Sequence, residues 1–179
     1  MRSLCLARRG CNKPLTTSRS WSWTQAKRRL NAPKKQRRYY SGKKKRHTLK
    51  SQIVIDRRNK QIICAAHCRG AQHDFALYKQ SGVKPQSDIK CLGDSGYQGL
   101  DKLHANSQTP EKKRRGQKFS PEAKGRNREL ARLRIVVEHV LHHLKIFRIL
   151  AERYRNRRRC FSLRFNLIAG LYNFELNLD

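Results

Sequence analysis

Between residues 130 and 147 the large apolar side chains fall at Leu130, Leu133, Val137, Val140, Leu141, Leu144 and Phe147. Steps of three and four residues place such a set on one side of an α-helix and on both sides of a β-strand. The spacing therefore predicts a long helix with one buried stripe, which requires another surface to cover it. Glu138 lies about 100° from Val137 on that helix, at the margin of the stripe. It can face an adjoining strand end while the stripe itself is buried.

The segments before the helix supply that surface. "KKKRHTLKSQIVID" reads as an extended basic segment running into a strand that ends at Ile53-Val54-Ile55, after a turn at Ser41-Gly42. "RRNK", residues 57 to 60, has the composition of a hairpin connection, and "QIICAAH" is a second strand. "HDFALYKQSG" suits a short helix with His73 or Asp74 at its start and Gly82 beyond its end. "IKCLGD" is a third strand, and "SQTPEKKRRGQKFSPEAKGRN" reads as a polar loop passing over a nucleic-acid-binding surface. "FSLRFNLIAGLYNFEL" forms a last helix. This order predicts an α/β fold, a mixed sheet flanked by helices, with no internal repeat.

Charge limits the partners. The chain carries 43 Lys and Arg against 12 Asp and Glu, a net charge of +31 over 179 residues. Such a surface repels itself unless a polyanion neutralises it, so nucleic acid is the expected partner. No apolar run approaches the roughly 20 residues that cross a bilayer, and the first ten residues hold too short an apolar core for a secretion signal. A cytoplasmic, nucleoid-associated protein is expected. The six cysteines are irregularly spaced and read as thiols. Cys64, Cys68 and His73 suggest zinc, but no second pair closes a tetrahedral site.

Residues 1 to about 32 stand apart, with no clear strand or helix period and no acid anywhere before Asp56. They read as an atypical basic segment, either an arm ordered by a polyanion or a stretch foreign to the fold. Residues 33 to 179 form the expected domain.

The few acids carry the chemistry. "CLGDSGYQGL" sets Asp94 where a strand ends, ahead of a Gly-x-x-Gly turn. A strand-end Asp is an ordinary turn former. It is also half of what a hard divalent ion needs when a second carboxylate crosses it on a helix, and Glu138 fits that second place. Arg134, one turn before Glu138, can steady that carboxylate, touch phosphate, or form an ordinary helix ion pair. Lys43, Lys44, Lys45, Arg46 and His47 are candidates for phosphate contact, against the alternative of a solvated basic edge strand. "YRNRRRC", from Tyr154, is a second backbone-binding candidate. His139 and His143 share a helix face but lack a third zinc ligand, so His139 is read as a DNA contact beside the acid. Asp74 is expected to cap a helix, and Tyr97 to pack beneath the turn.

Four blocks taken together, "YYSGKKKRHTLKSQIVID", "QIICAAHCRGAQHDFALYK", "CLGDSGYQGL" and "RIVVEHVLHHLKIFRIL", resemble successive blocks of the DDE-type transposases of bacterial insertion sequences, from about Pro33 to Leu176. The resemblance implies an RNase H-like fold and Mg²⁺- or Mn²⁺-dependent cutting and joining of double-stranded DNA at element ends. It assigns Asp94 as the second and Glu138 as the last metal-binding, catalytic acid. Intact transposase becomes a possible oligomer partner.

One block departs from the family. There the first acid lies on the opening strand, a little before "YYSGKKK"; here the region reads "SRSWSWTQAKRRLNAPKKQRR", without Asp or Glu. The expectation is a copy truncated or frameshifted at its start, lacking both the first strand and the first acid, and defective in catalysis. Two rivals are a non-catalytic DNA-binding remnant or regulator and an RNA-associated structural protein. The ordered acid-bearing blocks argue against the last.

Overall fold

The computed structural model describes residues 20–30, 39–42, 45–113, 116 and 119–178. Six strands form one sheet: β1 (Ser20–Arg29), β2 (Tyr40–Ser41), β3 (Arg46–Asp56), β4 (Ile62–Arg69), β5 (Lys90–Leu92) and β6 (Ser107–Gln108). Four helices accompany them: α1 (Asp74–Ser81), α2 (Pro121–Leu144), α3 (Arg148–Ala151) and α4 (Phe161–Glu175). Strand order is β2-β3-β1-β5-β6, and β4 also pairs with β3, along Leu49 to Ile55, beyond the two residues that β2 occupies. The β1–β3 and β3–β4 pairs are antiparallel, while β1–β5 and β5–β6 are parallel. The mixed α/β class and the RNase H-like arrangement both agree with the sequence reading.

The expected loss of the first strand does not. Ser20–Arg29, inside the segment that reads as foreign to the fold, is a ten-residue strand in the middle of the sheet. Its register runs from Trp21 opposite Asp56 to Arg29 opposite Thr48 on one side, and from Ser20 beside Lys90 to Ser22 beside Leu92 on the other. Both faces of β1 are covered, so no polar–apolar alternation marks it. Trp23 is buried with Val54, Cys64, Tyr78 and Tyr97 on the α1 face, while Ala26 joins the core beneath α2 and α4. The remaining residues of the segment, 1–19 and 31–32, lie outside the described residues.

The helical stripe behaves as its spacing predicts. Val137, Val140, Leu141 and Leu144 are buried against Ile53, Ile55 and Ala65 of the sheet and Phe165 of α4. The helix starts earlier than expected, because "SPE" is a start signal rather than loop. The Ser120 side chain accepts from Ala123 N at 3.1 Å, Pro121 takes the first turn, and Glu122 meets the positive end of the helix dipole. The 57–60 hairpin and the αL cap at Gly82, φ 67°, form as read. Asn173 of α4 pairs with both the N–H and the C=O of Ile62 at 2.8 Å, closing one end of the β4 edge.

His67 on β4 is wedged edge-on against Phe161 and Phe165, with Nδ1 3.0 Å from Ser51 Oγ and no hydrogen-bond partner at Nε2. Burial pushes its pKa down to about 4 from 6.5. The unfolded chain therefore takes up this proton first as pH falls. Stability is greatest above 6.5 and declines as pH falls through the interval from 6.5 to 4, by roughly 3 kcal/mol from this group. Replacement by Gln is expected to remove that share of the slope in denaturant titrations across the interval. An unchanged slope would mean that His67 is solvated.

Trp23 is fully buried, so Trp23→Ala is expected to cost about 3–5 kcal/mol in denaturant unfolding. An unshifted midpoint would place β1 outside the cooperative core.

Candidate active site

The turn after β5 is tightly built. Asp94 has extended backbone, and its Oδ1 accepts from Ser95 N at 2.6 Å, capping the single turn Ser95–Tyr97. Tyr97 is fully buried, and its hydroxyl donates to Gln52 Oε1 at 3.1 Å, as expected of a residue packed beneath the turn. Burial raises its pKa well above the ordinary phenol value. A methyl group on Gly96 would overlap the Asp74 carboxylate, and Gly99 needs a positive φ of 91°. These constraints leave the Asp94 carboxylate, 47% exposed, directed out of the turn.

Three elements meet at this carboxylate. The parallel register of β1 and β5, continued two residues past Ser22 and Leu92, brings Thr24 level with Asp94. Thr24 is buried, and its hydroxyl donates to Glu138 Oε1 on α2 at 3.1 Å. Arg134, one helical turn earlier, stands between the acids, with Nη1 3.4 Å from Asp94 Oδ1 and Nη2 4.0 Å from Glu138 Oε1. The arginine is thus both a helix ion pair and a bridge between two elements. With its side chain only 15% exposed, it supplies the positive charge that lets two carboxylates approach.

Thr24 is the site residue that sequence reasoning missed. A signal existed, since the opening strand should bear a polar residue facing the acids, but the strand itself was not recognised. Lys50 was missed as well. This buried amine on β3 donates to Asp74 Oδ1 at 2.5 Å and also to Gln72 O. Asp74 is therefore an ion-pair partner, correcting its reading as a cap; the cap is His73, whose Nδ1 accepts from Phe75 N at 3.3 Å. The signal here was a lone lysine in the middle of a strand.

The other candidates are placed as follows on the strands and helices. Lys43 and Lys44 fall outside the described residues. Lys45 forms a turn with φ 46°, and Arg46 and His47 open β3. His47 is six residues from Ile53, the β3 partner of Thr24, or roughly 20 Å along the strand. His139, next to Glu138 in the chain, lines a groove with His143 and with Tyr172 and Glu175 of α4. Among the described residues no disulfide occurs, and no three metal-binding side chains converge. Burial raises the Cys68 thiol to about 11, which keeps it protonated.

Residues 26–173 match the family model of the DDE superfamily endonucleases. The chain belongs to that family. The match begins at Ala26, within β1 and ahead of Pro33, so the family pattern reaches into the strand that was expected to be lost. A probable transposase for insertion sequence element IS702 from Microchaete diplosiphon is 55% identical over 150 residues, covering 83% of this chain and 54% of the relative. The chain thus spans about half the length of the curated relative it matches. No solved structure matches it. Endonucleases of this superfamily generally use divalent metal ions. Among the described residues no helix is long and apolar enough to cross a membrane.

The packing of Gly96 on Asp74 gives a direct check of the turn. Gly96→Ala is expected to destabilise by about 1–3 kcal/mol. Much of that loss should vanish in an Asp74→Gly background, as a double-mutant cycle on unfolding would show. Equal losses in both backgrounds would mean that the turn does not rest on this carboxylate.

Proposed function

We propose that this chain is a transposase catalytic domain whose metal site is one acid short: it binds double-stranded DNA and does not cut it. The observation that supports this reading is Thr24. It stands on the opening strand, where the family resemblance places the first acid, level with Asp94 and hydrogen-bonded to Glu138.

Asp94 and Glu138 are the residues that would hold a divalent ion. Their carboxylate oxygens suit a hard cation such as Mg²⁺ or Mn²⁺, which needs only one or two protein acids beside water and phosphate oxygens. When bound, such an ion supplies Lewis-acid stabilisation of phosphate oxygens and an activated water or hydroxyl. A neutral hydroxyl at position 24 is a weak ligand, and here it donates its proton to Glu138. The donor set therefore fits one ion better than the pair that in-line cleavage employs. Arg134 adds a competitor: a guanidinium already paired with both acids must be displaced, or turned toward a phosphate, before an ion enters.

DNA binding does not depend on the missing acid. A net charge of +31 supports sequence-independent attraction to the phosphate backbone. Such a protein can occupy element ends in competition with intact transposase, or join it in a mixed oligomer.

The deciding assay is nicking of supercoiled plasmid in Mg²⁺ or Mn²⁺ by the wild-type chain, Asp94→Asn, Thr24→Asp, and the double variant. The wild type is expected to bind the plasmid without nicking it. Thr24→Asp is expected to gain nicking that the added Asp94→Asn change abolishes, together with a rise in melting temperature on adding Mn²⁺. Nicking by the wild type that Asp94→Asn removes would overturn the incomplete-site reading.

A further inference from the structure

On the far edge of the sheet from the carboxylates, a cleft of about 840 Å³ opens between the end of β4, Tyr39 and the start of α4. Arg69, Arg157, Arg158 and Arg159 line it, and among the described residues no carboxylate does. All four arginines are exposed. The Arg158 guanidinium lies 4.7 Å and that of Arg69 5.9 Å from the centre of the Tyr39 ring. The aromatic ring thus gathers charges that would otherwise repel one another.

Folding gives no reason for this arrangement. Arg158 and Arg159 form the turn that leads directly into α4, whose first residues, Phe161 and Ser162, are part of the cleft wall. The amino end of a helix carries partial positive charge, and acids are the residues that stabilise it. Here cations crowd it, and neither the turn nor α4 has a side-chain cap for its free N–H groups. Helix end, arginines and ring together form a site of one sign, complete only when an anion enters.

We propose that this cleft is a second DNA-backbone clamp, gripping phosphates without reading sequence. The proposal rests on the DNA-binding part of the function above and adds where the duplex is held. Spreading of the charge over four arginines and a wide, open cleft suits successive phosphodiesters rather than one small anion. From β4 to β5 the sheet spans three strand spacings, roughly 14 Å, and Arg69, paired with Leu49, lies four residues along β3 from Ile53, the partner of Thr24, roughly 13 Å. Together the two offsets give roughly 19 Å, which corresponds to between about five and six base-pair steps. One duplex can therefore lie across the sheet, held at the arginine cleft and presented to the Asp94 side.

The test compares two triple variants of equal charge loss, Arg157→Ala/Arg158→Ala/Arg159→Ala and Lys84→Ala/Lys102→Ala/Lys124→Ala. Fluorescence anisotropy with a short duplex of arbitrary sequence, repeated over a salt series, gives affinity and the slope of log affinity against log salt. The cleft variant is expected to lose about 2–3 from the slope, near 0.9 for each phosphate contact removed, and more than tenfold in affinity near physiological salt. The lysine variant is expected to change far less. Arg158→Gln alone should lower the slope by about 0.9 at an unchanged melting temperature, which separates lost contact from lost fold. Equal losses in the two triples, or an unchanged slope in Arg158→Gln, would overturn the clamp. A wild-type chain that fails to bind the duplex would instead overturn the DNA-binding reading on which the clamp rests.

Discussion

The backbone pairing of β1 on both its edges is the interaction on which the rest of the structure depends. Antiparallel bonds to β3 and parallel bonds to β5 join the hairpin half of the sheet to the strand that carries Asp94. Side chains contribute unevenly to this. Trp23 fills the α1 face, but Ser22 Oγ, Trp23 Nε1 and Arg28 Nε are buried without hydrogen-bond partners. Burial alone lowers the Arg28 pKa to about 10. Each unsatisfied group costs about 1–3 kcal/mol. A central strand with this many orphaned polar atoms is held by main-chain bonds and one large ring, not by a well-fitted set of side chains.

The same strand decides what the site can do. Because β1 and β5 run parallel, consecutive levels of the two strands rise together, and Thr24 arrives where Asp94 leaves the sheet. Glu138 is delivered independently, by the margin of the α2 stripe. Two elements thus supply acids and the third supplies a hydroxyl, which Glu138 accepts as a hydrogen-bond donor. Arg134 bridges the two acids and leaves the group with one net negative charge, each side chain paired without metal. A third carboxylate in place of Thr24 would enlarge that excess: three acids would face one arginine, and like charges at close range would favour a divalent ion.

Sequence legibility followed how one-sided each element's environment is. α2 was readable because one face is core and the other solvent, and α1 because His73 and Gly82 mark its ends. The β3–β4 hairpin was readable from apolar runs around a polar turn. β1 was not, because it is covered on both faces and its α2-facing residues, Ser22, Thr24, Ala26 and Arg28, are small or polar. β6 is two residues long and is defined only by its pairing with β5, so no local pattern could announce it. The α2 start was hidden because basic composition around "SPEAKGRN" outweighed the cap in the reading. Asp94 and Glu138 were legible as a pair only through block order. Thr24 was not, since its meaning comes from register and not from residue type.

Binding and cutting place different demands on a chain, and under the proposed function the difference lets one persist where the other is incomplete. Phosphate attraction sums over many cations, so its loss is graded: each arginine or lysine removed subtracts one contact's share. Metal-dependent cleavage requires a fixed set of oxygen ligands within ångströms, and one neutral residue in that set changes the charge available to every ion bound there. The chain has 43 lysines and arginines, whereas the acids of the site number two. On the proposed reading a single position on β1 separates a nuclease from a clamp, and the fold around it is the same for both.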